Sequence, residues 1–205
     1  MNKNIIRFIL LIFLLVAVGY PLWVGISANN WANNNNFLRN IFPLFGLLAV
    51  SLLWIHSLCG VFEEWLKKYI NFDLFINITA TIILLSIILH PLLLFAIVRF
   101  DLNRIATIFS RNFFIWLAAF ALLLLLTYDA GKLLKKIGYK FFDTHWNNIL
   151  IISNIGFLLI FFHSLVVGGD LQEGSLRNVW IFYGVTATLA VIYTYIIKPL
   201  LKTKD

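Results

Sequence analysis

Six long apolar stretches constrain the fold more than any other feature of this sequence. They cover approximately residues 5–26, 40–62, 74–98, 112–128, 146–168 and 178–199. Each has the length of about 17–25 mostly apolar residues that crosses a bilayer as a helix. A soluble core could not accommodate a chain of 205 residues that is 61% hydrophobic and only 12% charged. We therefore predict an all-α integral membrane protein, a six-helix transmembrane bundle that forms one domain over residues 1–205.

The basic residues predict the orientation of this bundle. With the N-terminus in the cytoplasm, eleven of the sixteen lysines and arginines lie on the cytoplasmic side, and the outer side holds Arg39, Arg99, Arg104, Arg111 and Arg177. The positive-inside rule then predicts that both termini are cytoplasmic. The net charge of +7 is explained by this topology and by contact with anionic lipid, so we expect no nucleic-acid partner. The expected location is the bacterial inner membrane.

Four histidines are the candidates for chemistry within the predicted spans. An imidazole inside an apolar membrane segment is costly unless it meets a partner or a ligand. The third and fifth spans both start at the cytoplasmic side, with His90 and His163 about 16 and 17 residues along them, or roughly 24–26 Å of helical rise. The two imidazoles are therefore expected at the same depth in the outer half of the membrane.

Two imidazoles at one depth match the ligand set of a six-coordinate heme b, in which each ring binds the iron through Nε2. Such a site has no open position for O₂ and therefore suits electron transfer. Gly156, Gly168 and Gly169 are expected to let a porphyrin approach the backbone, with nearby phenylalanines as its apolar walls. The alternative is that each histidine only forms a hydrogen bond with a neighbouring helix. We predict that His90 and His163 are the axial ligands of heme b.

Two segments resemble the ferric reductase-like transmembrane domain superfamily: "NITATIILLSIILHPLLLF" and "HWNNILIISNIGFLLIFFHSLVVGGDL". Their most specific parts are the His-Pro at 90–91 and the His-Ser-Leu with following glycines at 163–169. The superfamily includes NADPH oxidases, bacterial ferric reductases, STEAP metalloreductases and the heme-binding membrane subunit of the methionine sulfoxide reductase system. The resemblance implies a b-type cytochrome that carries electrons from the cytoplasmic side to an outer acceptor, either a ferric or other metal chelate or a periplasmic reductase partner.

The resemblance also implies a single heme. Relatives with two hemes carry a second histidine roughly four helical turns before each outer one. This chain has Ile76 or Asn77 at that position of the third span and Ile149 or Leu150 in the fifth. An electron from the cytoplasm then has the inner half of the membrane to cross. By comparison with the relatives, we expect FMN, FAD or a quinone in that half.

Three residues are candidates for an inner site. His56, His145 and Asp129 are expected towards the cytoplasmic ends of their spans, where they would ligate a second group or line a flavin or quinone pocket. The alternatives are ordinary hydrogen bonds for the two histidines and a solvated helix-end carboxylate for Asp129.

Arginines are the candidates for anion binding on the outer side. The loop after His90 carries Arg99, Arg104 and Arg111. Their guanidinium groups suit heme propionates or an anionic metal chelate, and the alternative partners are lipid phosphates.

The sequence ends at "KPLLKTKD", directly after the sixth span. We therefore expect no soluble flavin or nicotinamide domain, so that a separate cytosolic flavoprotein reductase or quinol supplies the electrons. The chain would then be an oxidoreductase component that depends on this donor. Two alternatives remain: a quinol-using cytochrome b subunit of a respiratory complex, and a non-redox membrane scaffold or assembly subunit with the same fold.

Overall fold

The computed structural model describes residues 2–28 and 37–202, and within them it contains helices and no strand. The helices are α1 (Lys3–Ser27), α2 (Phe37–Leu66), α3 (Phe72–Ile97), α4 (Leu102–Arg111), α5 (Phe113–Lys136), α6 (Lys140–Thr144), α7 (Trp146–Val167), α8 (Ser175–Ile192) and α9 (Lys198–Lys202). A 3₁₀ turn at Gly169–Leu171 precedes α8, and a π-helical turn at Tyr193–Ile197 joins α8 to α9.

Six helical segments of this described part are long and apolar enough to cross a bilayer. They are α1, α2, α3, α5, α7 and the continuous segment Ser175–Leu201. Many large apolar side chains point away from the bundle, as expected where lipid rather than water covers the surface. The predicted all-α, multi-pass membrane architecture is confirmed.

One span is longer than expected. The sequence predicts a fourth span over 112–128, whereas α5 continues to Lys136. Asp129 consequently lies roughly two turns inside the helix, and not at its end. The loop regions also contain α4, which is amphipathic, and the short α6.

Two antiparallel helix pairs, α2 with α3 and α5 with α7, make the most extensive contacts in the bundle. The helix α2 also packs against α1, α7 and α8, so it is the central element. The Trp54 ring of α2 stacks on Tyr183 of α8 at 4.0 Å between centroids. Its indole N–H donates to the Thr186 hydroxyl at 2.8 Å. These contacts fix α8 against α2.

The two ends of the bundle carry different basic residues. We call one the lysine-rich end, defined by Lys67, Lys68, Lys132, Lys135, Lys136, Lys140 and Lys198. The other is the arginine-rich end, defined by Arg39, Arg99, Arg104, Arg111 and Arg177. The helix α1 connects them: Arg7 Nε donates to the Tyr69 carbonyl at 2.7 Å at the lysine-rich end, and the Tyr20 hydroxyl contacts Ser175 Oγ at 2.7 Å at the other.

Candidate functional site

His90 is held against α2 by one helical turn of that helix. Its Nδ1 lies 2.8 Å from the Phe42 carbonyl oxygen. A carbonyl only accepts hydrogen bonds, so Nδ1 carries the proton and Nε2 keeps a lone pair. The imidazole packs beside the Phe42 ring, with 5.3 Å between centroids, and over Gly46, where a Cβ atom would lie 3.1 Å from Cε1. Gly46 therefore provides the space in which this ring lies.

His163 is held against α5 in the same way. Its Nδ1 donates to the Phe114 carbonyl oxygen at 2.8 Å, which again leaves the lone pair on Nε2. Phe114 lies in the first turn of α5, where Asn112 caps the helix: Asn112 Oδ1 accepts from the Phe114 N–H at 2.9 Å. The N-terminal cap of α5 thus fixes the residue that orients His163.

The structure holds His90 and His163 at the same end of the bundle. The carbonyls that orient them belong to Phe42 and Phe114, each three residues after an arginine of the arginine-rich end. Among the described residues, no group of three or more His, Cys, Asp or Glu side chains could hold a metal ion. A porphyrin supplies four ligands to its iron itself, so two imidazoles with free Nε2 atoms are a sufficient protein contribution. The donor atoms of these two imidazoles are those that a bis-histidine heme would require.

A short internal repeat underlies the two equivalent histidine contacts. The segment "RNIFPLF" at 39–45 contains Phe42, and "RNFFIWL" at 111–117 contains Phe114. Each phenylalanine carbonyl accepts from a histidine 48 or 49 residues later, and each histidine begins a His-x-Leu sequence. Phe42, Phe114 and Gly46 were not among the site residues predicted from the sequence. This repeated Arg-Asn-x-Phe pattern was the available signal for the two phenylalanines.

The glycines near His163 do not have the role expected from the sequence. A Cβ at Gly156 would lie 2.9 Å from Leu124 Cβ and 3.0 Å from the Ala121 carbonyl oxygen, so α5 fills that space. Gly168 packs against Ser164 and Leu171 of its own turn, and Gly169 alone has open space beside it. The expectation that Gly156 admits a porphyrin is wrong, because this glycine permits the close contact of α5 with α7.

A cavity of about 730 Å³ occupies the half of the bundle towards the lysine-rich end. Apolar side chains from three helices line its deep part, including Ile87, Leu125 and Phe157. Ile87 lies one turn before His90, or roughly 4.5 Å of helical rise. Charged groups that line the cavity are Glu63, Asp129 and Lys198. The cavity thus extends from the charged end of the bundle to a level just below the two histidines.

His56 lines this cavity and has a defined tautomer. Its Nε2 lies 2.6 Å from the Thr79 hydroxyl oxygen. The Thr79 hydroxyl also lies 2.7 Å from the Phe75 carbonyl, which can only accept; with its proton directed to that carbonyl, the hydroxyl accepts from His56. Nε2 therefore carries the proton, and the lone pair of His56 is on Nδ1.

Three further polar residues join His56 in what we call the polar wall: Asn154, Thr194 and Tyr195. The Asn154 amide nitrogen donates to the Leu150 carbonyl at 2.8 Å and to the Tyr195 hydroxyl at 3.4 Å. The Thr194 hydroxyl, in the π-helical turn, is buried and has no hydrogen-bond partner in the described chain. A second cavity of about 30 Å³ also borders all four residues. The wall therefore presents one buried hydroxyl without a partner, together with three other polar side chains, to the interior.

The other two inner-site candidates differ in position. Asp129 lines the cavity together with His56. His145 does not line it: the residue lies between α6 and α7, donates from Nδ1 to the Phe141 carbonyl at 3.0 Å, and stacks on the Phe141 ring at 4.2 Å. The structure thus brings Asp129 and His56 to one cavity and leaves His145 outside it.

The arginines of the arginine-rich end lie on its surface. Arg99 is exposed and has a left-handed backbone, with φ 59°, at the turn after α3. Arg104 forms an ion pair with Asp101 at 3.5 Å, and Arg111 is exposed in the last turn of α4. These positions suit contact with an external anion or with lipid phosphates.

Comparisons of this chain with family models, with curated proteins and with solved structures found no match.

Proposed function

We propose that the protein is a membrane b-type cytochrome of the ferric reductase-like kind, in which His90 and His163 hold one heme b. The observation that carries the proposal is that both imidazoles are held by the same kind of hydrogen bond. Each donates Nδ1–H to a carbonyl of the neighbouring helix and keeps its Nε2 lone pair, and each of these carbonyls lies three residues after an arginine of the arginine-rich end. A heme bound there would supply a one-electron iron centre without an open coordination position.

The chain's own residues would orient the ligands and exclude water. The hydrogen bonds to Phe42 and Phe114 fix the ring orientations and make Nε2 more basic, as the second partner of a metal-bound histidine does. Phe157, one of the most buried side chains, lies between this level and the cavity below. Apolar surroundings of this kind would also help to set the reduction potential.

The charge asymmetry supports a direction for electron transfer. By the positive-inside rule, the lysine-rich end is cytoplasmic, both termini lie there, and the arginine-rich end faces outward from a bacterial inner membrane. The outer acceptor is then a ferric or other metal chelate, or a periplasmic reductase partner. Arg99, Arg104 and Arg111 lie at the end where an anionic acceptor would approach.

The cavity favours quinol as the electron donor. Its lining includes two carboxylates and one ammonium group, which suit an uncharged headgroup better than a flavin phosphate. Nearby lysines already have partners: Lys132 donates to Asn77 Oδ1 at 2.6 Å, and Lys135 pairs with Asp143 at 3.0 Å. The cavity therefore supports quinol as the electron donor more than it supports a flavin cofactor or a separate flavoprotein. The protein would then be a quinol-using cytochrome b subunit.

The first test is the dithionite-reduced minus oxidised visible spectrum of the purified protein, with heme and flavin quantified in the same sample. We expect one heme b per chain and no flavin. The variants His90→Ala and His163→Ala should lose the heme, whereas His145→Ala should keep it. A colourless wild-type protein after expression with ample heme would contradict the proposal and favour the membrane scaffold.

A second measurement tests the donor. Anaerobic addition of decylubiquinol, a short-chain quinol, should reduce the heme without any flavoprotein. Flavin bound at one per chain, together with no reduction by the quinol, would assign the cavity to a flavin.

A further inference from the structure

We propose that His56 makes the large cavity selective for a ring that carries a free hydroxyl group, as the reduced headgroup of a membrane quinone does. This inference rests on the proposed quinol donor and assigns a specificity-determining residue to its site. His56 would accept a hydrogen bond from that hydroxyl through Nδ1.

The hydrogen bond between His56 Nε2 and the Thr79 hydroxyl is the first observation behind this proposal. His90 and His163 donate from Nδ1 to carbonyl groups, whereas His56 donates from Nε2 to Thr79. Of these three histidines, only His56 therefore has Nδ1 as the ring nitrogen that can accept a hydrogen bond. No hydrogen bond to this Nδ1 is found within residues 2–28 and 37–202, and the residue lines both cavities.

The neighbours of His56 are the second observation. Asn154 uses its amide nitrogen for protein contacts, so its carbonyl oxygen is a further acceptor in the polar wall. Tyr195 accepts from Asn154 and keeps its own proton to donate. The buried Thr194 hydroxyl borders the small cavity, whose volume of about 30 Å³ is enough for one water molecule. The wall therefore offers both acceptors and donors to a polar ring.

Selectivity follows from the lone pair on Nδ1. A hydroxyl group satisfies this nitrogen, whereas an ether or a carbonyl oxygen faces it with another lone pair. The second arrangement leaves the half-buried acceptor without a donor, and such a site discriminates against the ligand that lacks the hydrogen. The apolar deep part of the cavity binds either form equally, so the difference between the forms arises in the polar part, where we assign His56 Nδ1 as the main acceptor.

The experiment compares two probes that differ only in the hydroxyl proton, 4-nonylphenol and its methyl ether, 4-nonylanisole. Calorimetry on the purified full chain in detergent gives both dissociation constants. We expect the phenol to bind about 3- to 10-fold more tightly, the ratio for one net hydrogen bond. His56→Phe should abolish the difference, and the matched control His145→Phe should retain it. A preference that survives His56→Phe, or no binding of either probe, would overturn the proposal.

A second variant tests the proposal if His56→Phe does not fold. Thr79→Val keeps the imidazole but removes the group that accepts from Nε2, so the preference for the phenol should fall. In ¹⁵N-histidine NMR spectra, the resonances lost in a His56 variant should be those of an Nε2-protonated neutral ring; an Nδ1-protonated ring would contradict the proposal. These readouts need no heme, so failure of the proposed cytochrome and failure of this inference are distinguishable.

Discussion

At the scale of single residues, hydrogen-bond partners decide which histidine nitrogen is available. His90 and His163 each meet a carbonyl oxygen, and His56 meets a hydroxyl whose proton is already used. Hydrogen bonds of this kind are strong in a low-dielectric interior, and they fix the ring orientation as well as the tautomer. Gly46 matters for the same reason, since any side chain there would meet the His90 ring.

Substitution of Gly46 tests this arrangement. A Cβ atom would lie 3.1 Å from His90 Cε1 and 3.2 Å from Nδ1, so Gly46→Ala should displace the ring from the Phe42 carbonyl. We expect lower heme content and a shifted reduction potential, although alanine alone stabilises a helix by about 0.5–1 kcal/mol relative to glycine. Gly19→Ala, where no atom lies within 4 Å, is the matched control. Equal heme content in both variants would contradict the role of Gly46.

Asp170, in the turn after α7, gives a prediction about pH. Burial raises the pKa of its carboxyl group. The folded protein then holds this proton more tightly than the unfolded chain, so stability falls as pH rises from about 4 through the folded-state pKa. Asp170→Asn should therefore raise the thermal midpoint at pH 7, and the gain should shrink towards pH 4. Differential scanning calorimetry with the exposed Glu173→Gln as control checks this, and a gain independent of pH would contradict it.

At the scale of helices, the site depends on two pairs, α2 with α3 and α5 with α7. In each pair, the start of one long helix supplies the carbonyl that orients a histidine near the end of the other. The close contact at Gly156 sets the separation of α5 and α7, since the backbone of Ala121 and Leu125 lies directly opposite. The position of His163 is therefore a property of the pair, and not of α7 alone.

The cap of α5 allows a test at this scale. Asn112→Ala removes the side-chain acceptor of the Phe114 N–H and should cost about 1 kcal/mol of unfolding free energy. Asn71→Ala removes the equivalent cap of α3, where Asn71 Oδ1 accepts from the Leu74 N–H at 3.2 Å. Both variants should unfold at similar lower temperatures. Only Asn112→Ala should alter the heme spectrum or potential, and identical spectra would exclude a link between the cap and His163.

At the scale of the whole molecule, charged and apolar side chains occupy separate parts of the surface. The exposed surface between the ends carries apolar side chains such as Leu15, Leu85 and Leu189, which suits lipid. The lysine-rich and arginine-rich ends lie opposite each other, and the cavity reaches from the lysine-rich end towards the middle. In the proposed cytochrome, this arrangement would place the donor and the acceptor on different sides of the membrane.

Cysteine labelling tests the proposed orientation. Cys59 is buried, so a new exposed cysteine reports its own location. In intact cells, a membrane-impermeant maleimide should label Ser110→Cys at the arginine-rich end, and Lys136→Cys only after permeabilisation. The reverse pattern would invert the topology and with it the direction of electron transfer.

The sequence by itself determined the class of the protein and the number of helices long enough to span a membrane, and it predicted one depth for His90 and His163. Bilayer thickness fixes the length of an apolar helix, and a constant rise converts residue numbers into depth, so these properties are local. Tertiary structure alone decided the rest. Contacts between helices that are distant in sequence determine which nitrogen of each histidine is free. The same contacts explain why Gly46 and Gly156 lack side chains, and why His56 lines the cavity whereas His145 lies outside it.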